Sequence, residues 1–249
     1  NTLYYGFYSN MLANEMFLDT SQREESLISL VKPLGYVVPG KTSAKAKAKL
    51  RQGESQTEVP RYTRFTGNNA SGVSYNFYTI ENYILDGQGE AVIPIVEGKS
   101  LTLEQPLLID NSTQKGFLRG LDVDISTVRV EVYNSDPNQA PNGDQWELWS
   151  RAGNVEQGLS DESKVYWLER TELGFFVVFG GNYADTTGSQ VGRSIPENTQ
   201  VRVSYLKSSG ESGNGVGNWN VSSSEISATT ETVSLSTGGT DKPDMEAIR

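Results

Sequence analysis

The chain has 249 residues and contains neither cysteine nor histidine. Disulfide frameworks, zinc sites built from Cys and His, and Ser–His–Asp or Cys–His catalysis are therefore excluded. The net charge of −10 disfavours nucleic acid as the main partner. Residues 1–64 carry nine basic and six acidic side chains, whereas residues 65–249 carry twelve basic and twenty-five acidic ones, so the two regions differ in electrostatic character.

The length and ends of the chain set further bounds. No apolar run approaches the ~18 residues that a membrane-spanning helix needs, so we expect no membrane span. The chain opens at Asn1 without a signal-like segment and closes on a pattern that resembles a helix beginning after Pro243. These ends predict a segment of a longer protein.

The first 52 residues are predicted to be helical. Apolar and aromatic side chains recur at helical spacing between Leu3 and Met16, as on one face of a helix. A capping-box pattern at residues 21–24 predicts a second helix that ends near Gly35. From Ser43 to Leu50, alanine alternates with lysine as in a strand, but we favour a third helix because both residue types favour helices.

From residue 59 onward the composition predicts β-structure. Six segments are rich in β-branched and aromatic residues and are predicted strands, namely 73–80, 91–96, 127–133, 164–168, 175–179 and 201–206. Segments rich in Gly, Asn, Asp and Pro predict long loops at 134–144, 180–198 and 208–218. Residues 220–237 are predicted to form one or two edge strands.

The predicted fold class is α+β and mainly β, with an N-terminal helical segment followed by antiparallel β-rich domains with long loops. The predicted domains are residues 1–52, the helical segment; residues 53–237, the β-rich part, with room for a subdivision near 110–120; and residues 238–249, a linker and the start of a following domain. A parallel α/β sheet is disfavoured because no helical pattern lies between the strands.

One motif points to nucleotide binding. Residues 35–42 match the P-loop pattern GxxxxGK[ST], and residues 107–110 resemble the apolar run plus Asp that holds magnesium. However, a P-loop follows a buried strand and binds phosphate through backbone N–H groups, whereas this segment follows a predicted helix and Pro39 lacks such a donor. The glycines at 210–217 likewise precede a segment that cannot begin a helix. We therefore predict neither site.

Other candidate sites have simpler explanations. Asp122 and Asp124 suit a bound cation, but turn chemistry explains them better. The four tryptophans would suit stacking on sugars if exposed, although large aromatics in β-domains are more often buried. Six basic residues between Lys45 and Arg64 suit an acidic partner or a solvated surface. No carboxylate pair stands out for glycoside hydrolysis. We predict no catalytic, cofactor-binding or metal-binding residue, and no cofactor.

A series of segments resembles the baseplate wedge subunit of T-even-type contractile-tail bacteriophages and the broader baseplate J-like family. The strongest likeness is residues 5–20, YGFYSNMLANEMFLDT, followed by Leu34-Gly35-Tyr36. It continues through Val59-Pro60, Tyr75-Asn76-Phe77, 95–98, 123–128, 165–169, 201–206, 209–215 and 238–249. The chain departs from the family pattern at Gly181-Asn182 and Lys242-Pro243.

This resemblance implies a structural virion protein of the tail baseplate, made in the host bacterial cytoplasm, and not an enzyme. Two copies would join a larger wedge protein, and the wedges would form a ring around the tail hub that rearranges to trigger contraction of the sheath. The implied partners are a second copy, the larger wedge protein, neighbouring wedges, and hub and sheath proteins, with no nucleic acid. A carbohydrate-binding adhesin module and a two-carboxylate glycosidase remain the alternatives.

The predicted assembly surface lies in the N-terminal segment. Its apolar face is broader than one or two short neighbouring helices would cover, which favours packing between molecules. The residues that we expect to form it are Tyr4, Tyr5, Phe7, Tyr8, Met11, Leu12, Phe17, Leu27, Ile28 and Val31.

Overall fold

The computed structural model describes residues 9, 11–32, 36–51, 58–85, 90–134, 145–153, 159–181, 183–184, 190–221 and 229–248. These residues are mainly β, as predicted. In chain order the strands are β1 (Lys45–Arg51), β2 (Glu58–Val59), β3 (Arg64–Asn68), β4 (Ser74–Tyr78), β5 (Tyr83–Ile84), β6 (Glu90–Glu97), β7 (Ser100–Pro106), β8 (Ile109–Asp110), β9 (Lys115–Arg119), β10 (Arg129–Tyr133), β11 (Trp146–Arg151), β12 (Val165–Arg170), β13 (Gly174–Val178), β14 (Tyr183–Ala184), β15 (Gln190–Val191), β16 (Val201–Lys207), β17 (Gly217–Val221) and β18 (Thr229–Thr237).

Helical elements in the described residues are short. Residues 11–14 are helical, helix α1 spans Glu24–Val31, a single 3-10 turn spans Gly210–Gly213, and helix α2 spans Met245–Ile248. The predicted α+β class with an N-terminal helical segment over residues 1–52 is therefore wrong, because the described part of this segment has only short helical pieces and ends in a strand at Lys45–Arg51. Its first eight residues lie outside the described ranges.

The predicted third helix is a strand, β1. Its alanines and Leu50 are buried in a sheet core, while the lysines between them point outward. That period of two fits a strand with one buried face, and burial of three apolar side chains outweighs the modest helix preference of alanine and lysine. The alternation was the better guide to the structure.

A six-stranded antiparallel sheet has the order β17-β3-β4-β6-β1-β18. The sheet curls until its two edge strands meet, since the Ser236 N–H donates to the Val216 carbonyl over 2.9 Å and the Gly215 N–H donates to the Ser236 carbonyl over 2.8 Å. Curling leaves a closed interior that is filled by apolar side chains including Leu50, Phe65, Phe77, Ile93, Ile95 and Trp219.

The second sheet has eight strands in the order β7-β16-β10-β11-β12-β13-β9-β8. Its described pairs are antiparallel except for a short parallel contact between β11 and β12. Its core includes Trp149, Tyr166, Phe175, Phe179 and Val203. β2 pairs with β5, and β14 pairs with β15.

The path of the chain connects the two sheets. It leaves the six-stranded sheet after β6, builds the eight-stranded sheet between residues 100 and 207, and returns at β17. Tyr78 and Val96 of the first sheet pack there against Leu206 of the second. Residues 110–120, the predicted place of a subdivision, contain β8 and β9 of the eight-stranded sheet. The domain boundaries stay predictions.

Candidate assembly surface and the other predicted sites

The structure divides the ten predicted assembly residues into three groups. Tyr4, Tyr5, Phe7 and Tyr8 lie outside the described residues. Met11, Leu12 and Phe17 are exposed, with 48%, 53% and 65% of their surface accessible. Leu27, Ile28 and Val31 are buried within the same molecule. The described part of the prediction therefore contains two different surfaces.

Helix α1 packs against the C-terminal part of its own chain. Leu27, Ile28 and Val31 form a cluster with Val38 and with Ile248 of α2, and Leu18 and Met245 cover its edge. The spacing of the three α1 residues places them on one helix face, as the sequence predicted. Because this face is already covered, it is not available to a partner in this conformation.

Ion pairs hold α1 in that position. The Glu24 carboxylate bridges two cations, the Arg170 guanidinium of β12 and the Lys242 ammonium. The Arg170 side chain is only 1% exposed, and it also donates to the Pro39 carbonyl. Lys32, directly after the helix, pairs with Glu169 of β12 over 2.8 Å. Burial lowers the pKa of Arg170, and Glu24 opposes that shift. This partly buried pairing fixes α1 against the eight-stranded sheet.

Glu15 joins the segment at residues 11–17 to the beginning of α1. Its carboxylate accepts hydrogen bonds from the Gln22 N–H over 3.0 Å, the Arg23 N–H over 3.3 Å and the Ser21 hydroxyl over 2.8 Å. Hydrogen bonds from Ser26 and then from Gln22 lower the pKa of Glu15 to about 2. A carboxylate at a helix N-terminus satisfies free N–H groups and complements the helix dipole. The predicted capping box does not form, because Arg23 is the N-cap residue.

The exposed segment carries more apolar surface than the prediction included. Met16, which was not among the ten residues, is 69% exposed. Together with Met11, Leu12 and Phe17 it gives four large exposed apolar side chains within residues 11–17. We call these four residues the N-terminal apolar patch. Clusters of exposed apolar side chains of this kind are typical of protein interaction sites.

The P-loop-like segment is part of the framework of the fold. The Lys41 N–H donates to the Leu121 carbonyl over 2.8 Å, and Thr42 forms a β-bridge with Thr240. The Lys41 ammonium pairs with Asp241 over 2.9 Å. A Cβ atom at Gly40 would lie 2.1 Å from the Leu121 oxygen, so the glycine is needed for close packing. The residues of the P-loop-like motif therefore make packing contacts within the chain.

Asp124 has the turn role that the sequence favoured. Its carboxylate accepts from the Ser126 N–H and from the Ser43 N–H, each over 2.9 Å, so it also ties the eight-stranded sheet to the segment before β1. Asp122 lies 3.4 Å from the Lys207 ammonium. No cluster of three or more acidic ligands suitable for a metal occurs in the residues that the structure describes.

A buried carboxylate was missed by the sequence analysis. Glu97, at the end of β6, is fully buried and accepts hydrogen bonds from the Ser208 hydroxyl over 3.2 Å and the Ser209 N–H over 3.1 Å. Burial raises the pKa of Glu97. The predicted loop at 208–218 contains the 3-10 turn, in which Gly210 has a φ of +73° and lies against Asp241. The glycines at 210–217 therefore lie at the junction between the two sheets.

The tryptophans do not form an open platform for sugar rings. Trp149, Trp167 and Trp219 are buried. Trp146 is half-buried, and the Arg202 guanidinium lies 4.2 Å from the centroid of its ring. One face of that ring is therefore already covered. The tryptophans pack as the structural explanation predicted, and they give no support to the adhesin alternative.

Among the described residues, no helix has the length and apolar composition required to cross a bilayer.

Comparison with known proteins gives a structural likeness to a baseplate chain. No protein-family model matches the chain, and no curated protein matches it. The chain is similar to a chain in the cryo-EM structure of the anti-feeding prophage (AFP) baseplate, with a TM-score of 0.26 and 10% sequence identity. The match covers 88% of this chain and 39% of that chain, so this chain spans about two fifths of the baseplate chain. So low a TM-score does not establish a shared fold.

Proposed function

We propose that the chain is a structural subunit of a contractile phage tail baseplate and acts without catalysis. The observation that carries the proposal is the N-terminal apolar patch, Met11, Leu12, Met16 and Phe17. A monomer that exposes four large apolar side chains in one short segment exposes a surface suited to a partner. The patch also lies within residues 5–20, which bear the strongest resemblance to the baseplate wedge subunit.

The proposed partners follow from that resemblance. Two copies of the chain join one larger wedge protein, and the resulting wedges form a ring around the tail hub. Contacts with neighbouring wedges, hub and sheath proteins then transmit the rearrangement that triggers contraction. The place of action is the virion tail, after synthesis in the cytoplasm of the host bacterium.

The apolar patch and the two sheets have different proposed roles in assembly. Helix α1 is attached to β12 and α2 of its own chain, and Glu15 fixes the patch next to the N-terminus of this helix. The proposed joint to the larger partner is therefore the apolar patch, stabilised by burial at roughly 25 cal/mol per Å² of apolar surface. The acidic sheets would make more polar contacts, which exchange more readily between two ring states.

The test removes the apolar character of the patch and leaves the sheets unchanged. Co-expression of the full-length chain with the larger baseplate protein, followed by native mass spectrometry, should give a complex with two copies and one partner. Met11→Asp combined with Phe17→Asp should abolish this complex, because two charges would be buried without partners. Circular dichroism should show unchanged β-structure, since both side chains are exposed in the isolated chain.

A matched control uses an exposed leucine that does not belong to the patch. Leu108, between β7 and β8, is 89% exposed. Leu108→Asp should leave the complex intact, because it changes the charge without touching the proposed joint. If the double variant assembles as well as the wild type, or if Leu108→Asp disrupts assembly to the same degree, the proposed joint is wrong.

A further inference from the structure

Strand β1 places a row of cations on the outer face of the six-stranded sheet. Ala46, Ala48 and Leu50 point into the core, so the alternate residues point outward. The resulting lysine row consists of Lys45, Lys47, Lys49 and Arg51. Neighbouring members of the row stand roughly 7 Å apart along the strand, at two residues each. Like charges at this spacing repel one another unless carboxylates lie between them.

Only one end of the row is neutralised by the residues that the structure describes. Glu90 pairs with Lys49 over 2.7 Å and with Arg51 over 2.5 Å. Lys45 and Lys47 are exposed, and no carboxylate of a described residue lies within 4.0 Å of either ammonium. Their partners across the sheet are uncharged, namely Val96 and Pro94 on β6 and Thr237 and Ser234 on β18.

Apolar surface adjoins this uncompensated charge. Pro94 and Val92 lie opposite Lys47 and Lys49 on β6, and both side chains are exposed, Val92 by 52%. A patch that combines two unpaired cations with exposed apolar groups offers both charge attraction and apolar burial to a partner. The rest of the chain has the opposite charge, since residues 65–249 carry twenty-five acidic and twelve basic side chains.

We propose that Lys45 and Lys47 dock against the acidic surface of a second copy of this chain. The contact is heterologous, with the basic row of one copy on an acidic surface of the next, which is the geometry that builds a ring from identical subunits. This inference rests on the proposed function, in which several copies surround a hub. Because exposed charges carry it, the contact is weak, sensitive to salt and easily exchanged when a ring rearranges.

The test measures self-association of the full-length chain by sedimentation velocity over a range of protein concentrations. Lys45→Glu combined with Lys47→Glu should weaken self-association at least about tenfold, since attraction becomes repulsion. High salt should weaken self-association of the wild type. Lys45→Arg combined with Lys47→Arg, which keeps both charges, should associate like the wild type.

A control variant for the change in net charge uses a second pair of exposed cations. Lys99→Glu combined with Arg119→Glu makes the same change in net charge outside the lysine row, and both residues are exposed. This control should retain self-association. Equal weakening by both charge reversals would show a general effect of net charge and would overturn the inference. A wild type that stays monomeric at all concentrations, or a lysine variant that associates normally, would also overturn it.

Failure of this inference and failure of the proposed function give different results. If the lysine variant self-associates normally while Met11→Asp with Phe17→Asp loses the larger partner, only the lysine contact is wrong. If the lysine variant loses self-association but the apolar variant still assembles with the larger partner, the proposed joint is wrong and the lysine contact stands.

Discussion

Residues 11–17 and helix α1 carry similar apolar patterns but have opposite environments. In α1 the apolar face is covered by Val38 and by Ile248 of the same chain. In residues 11–17 the apolar side chains face solvent. Periodic apolar spacing therefore indicates a face to be buried, but it does not indicate whether the same molecule or a partner covers that face.

The charged contacts of the two regions also differ. Glu24 anchors α1 to the buried Arg170, and Lys32 pairs with Glu169, so α1 is held on the eight-stranded sheet. Residues 11–17 are attached to the start of α1 through Glu15, which accepts hydrogen bonds from the backbone N–H groups of Gln22 and Arg23. This attachment positions the segment without covering its apolar side chains. It leaves the N-terminal apolar patch available for assembly.

The largest expected effect is the difference in stability loss between a substitution in α1 and one in residues 11–17. Leu27→Ala removes a fully buried side chain and should lower the free energy of local opening of α1 by about 2–5 kcal/mol. Phe17→Ala removes an exposed side chain and should change it by less than about 0.5 kcal/mol. Hydrogen exchange of the α1 amides measures both values. Equal effects of the two substitutions would contradict the assigned environments.

A smaller effect is expected from the ion pair that anchors α1. Glu24→Ala leaves the buried Arg170 guanidinium without its carboxylate and should destabilise α1 by about 1–3 kcal/mol, reduced because Glu24 is partly exposed. The matched control is Glu25→Ala, which removes the neighbouring exposed pair with Arg23 and should change stability by no more than about 1 kcal/mol. Hydrogen exchange of the α1 amides again measures both effects. If Glu25→Ala destabilises α1 as much as Glu24→Ala does, the pair between Glu24 and Arg170 does not anchor the helix.

The smallest expected effect concerns Glu15, which links residues 11–17 to α1. The folded-state pKa of Glu15 is lowered from 4.5 to about 2, so its stabilising contribution is present above pH 4.5 and is lost as the pH falls toward 2. The NMR shifts of the Gln22 and Arg23 amides should therefore titrate with a midpoint near 2. Glu15→Gln should abolish that titration. A midpoint near 4.5 in the wild type would mean that the carboxylate does not bond these amides.

Much of the β-structure was predictable from sequence because alternation and β-branched residues mark half-buried strands. The segment 201–206 and strand β16 agree to within one residue, for example. The prediction failed at β1, where helix preference was given more weight than alternation. Whether an Ala–Lys alternation forms a strand depends on a core built from β3, β4 and β6, which local sequence does not specify.

The candidate site was predictable only in part. Met11 and Phe17 were among the residues predicted for the assembly surface, and both are exposed in the isolated chain. Their role in assembly stays a prediction. The covering of α1 by Ile248 depends on a residue more than two hundred positions away, and Glu24 pairs with Arg170, which lies 146 positions away. The capping role of Glu15 was not predicted, since it needs a turn between residue 15 and α1 that the sequence pattern did not reveal.

The most direct test of the central claim compares hydrogen exchange in the isolated chain with exchange in its complex with the larger baseplate protein. We predict that the α1 amides are already protected in the isolated chain and change little on assembly. Residues 11–17 should exchange rapidly in isolation and become protected in the complex. Unchanged exchange in residues 11–17 upon formation of the complex would contradict the assignment of the N-terminal apolar patch as the assembly surface.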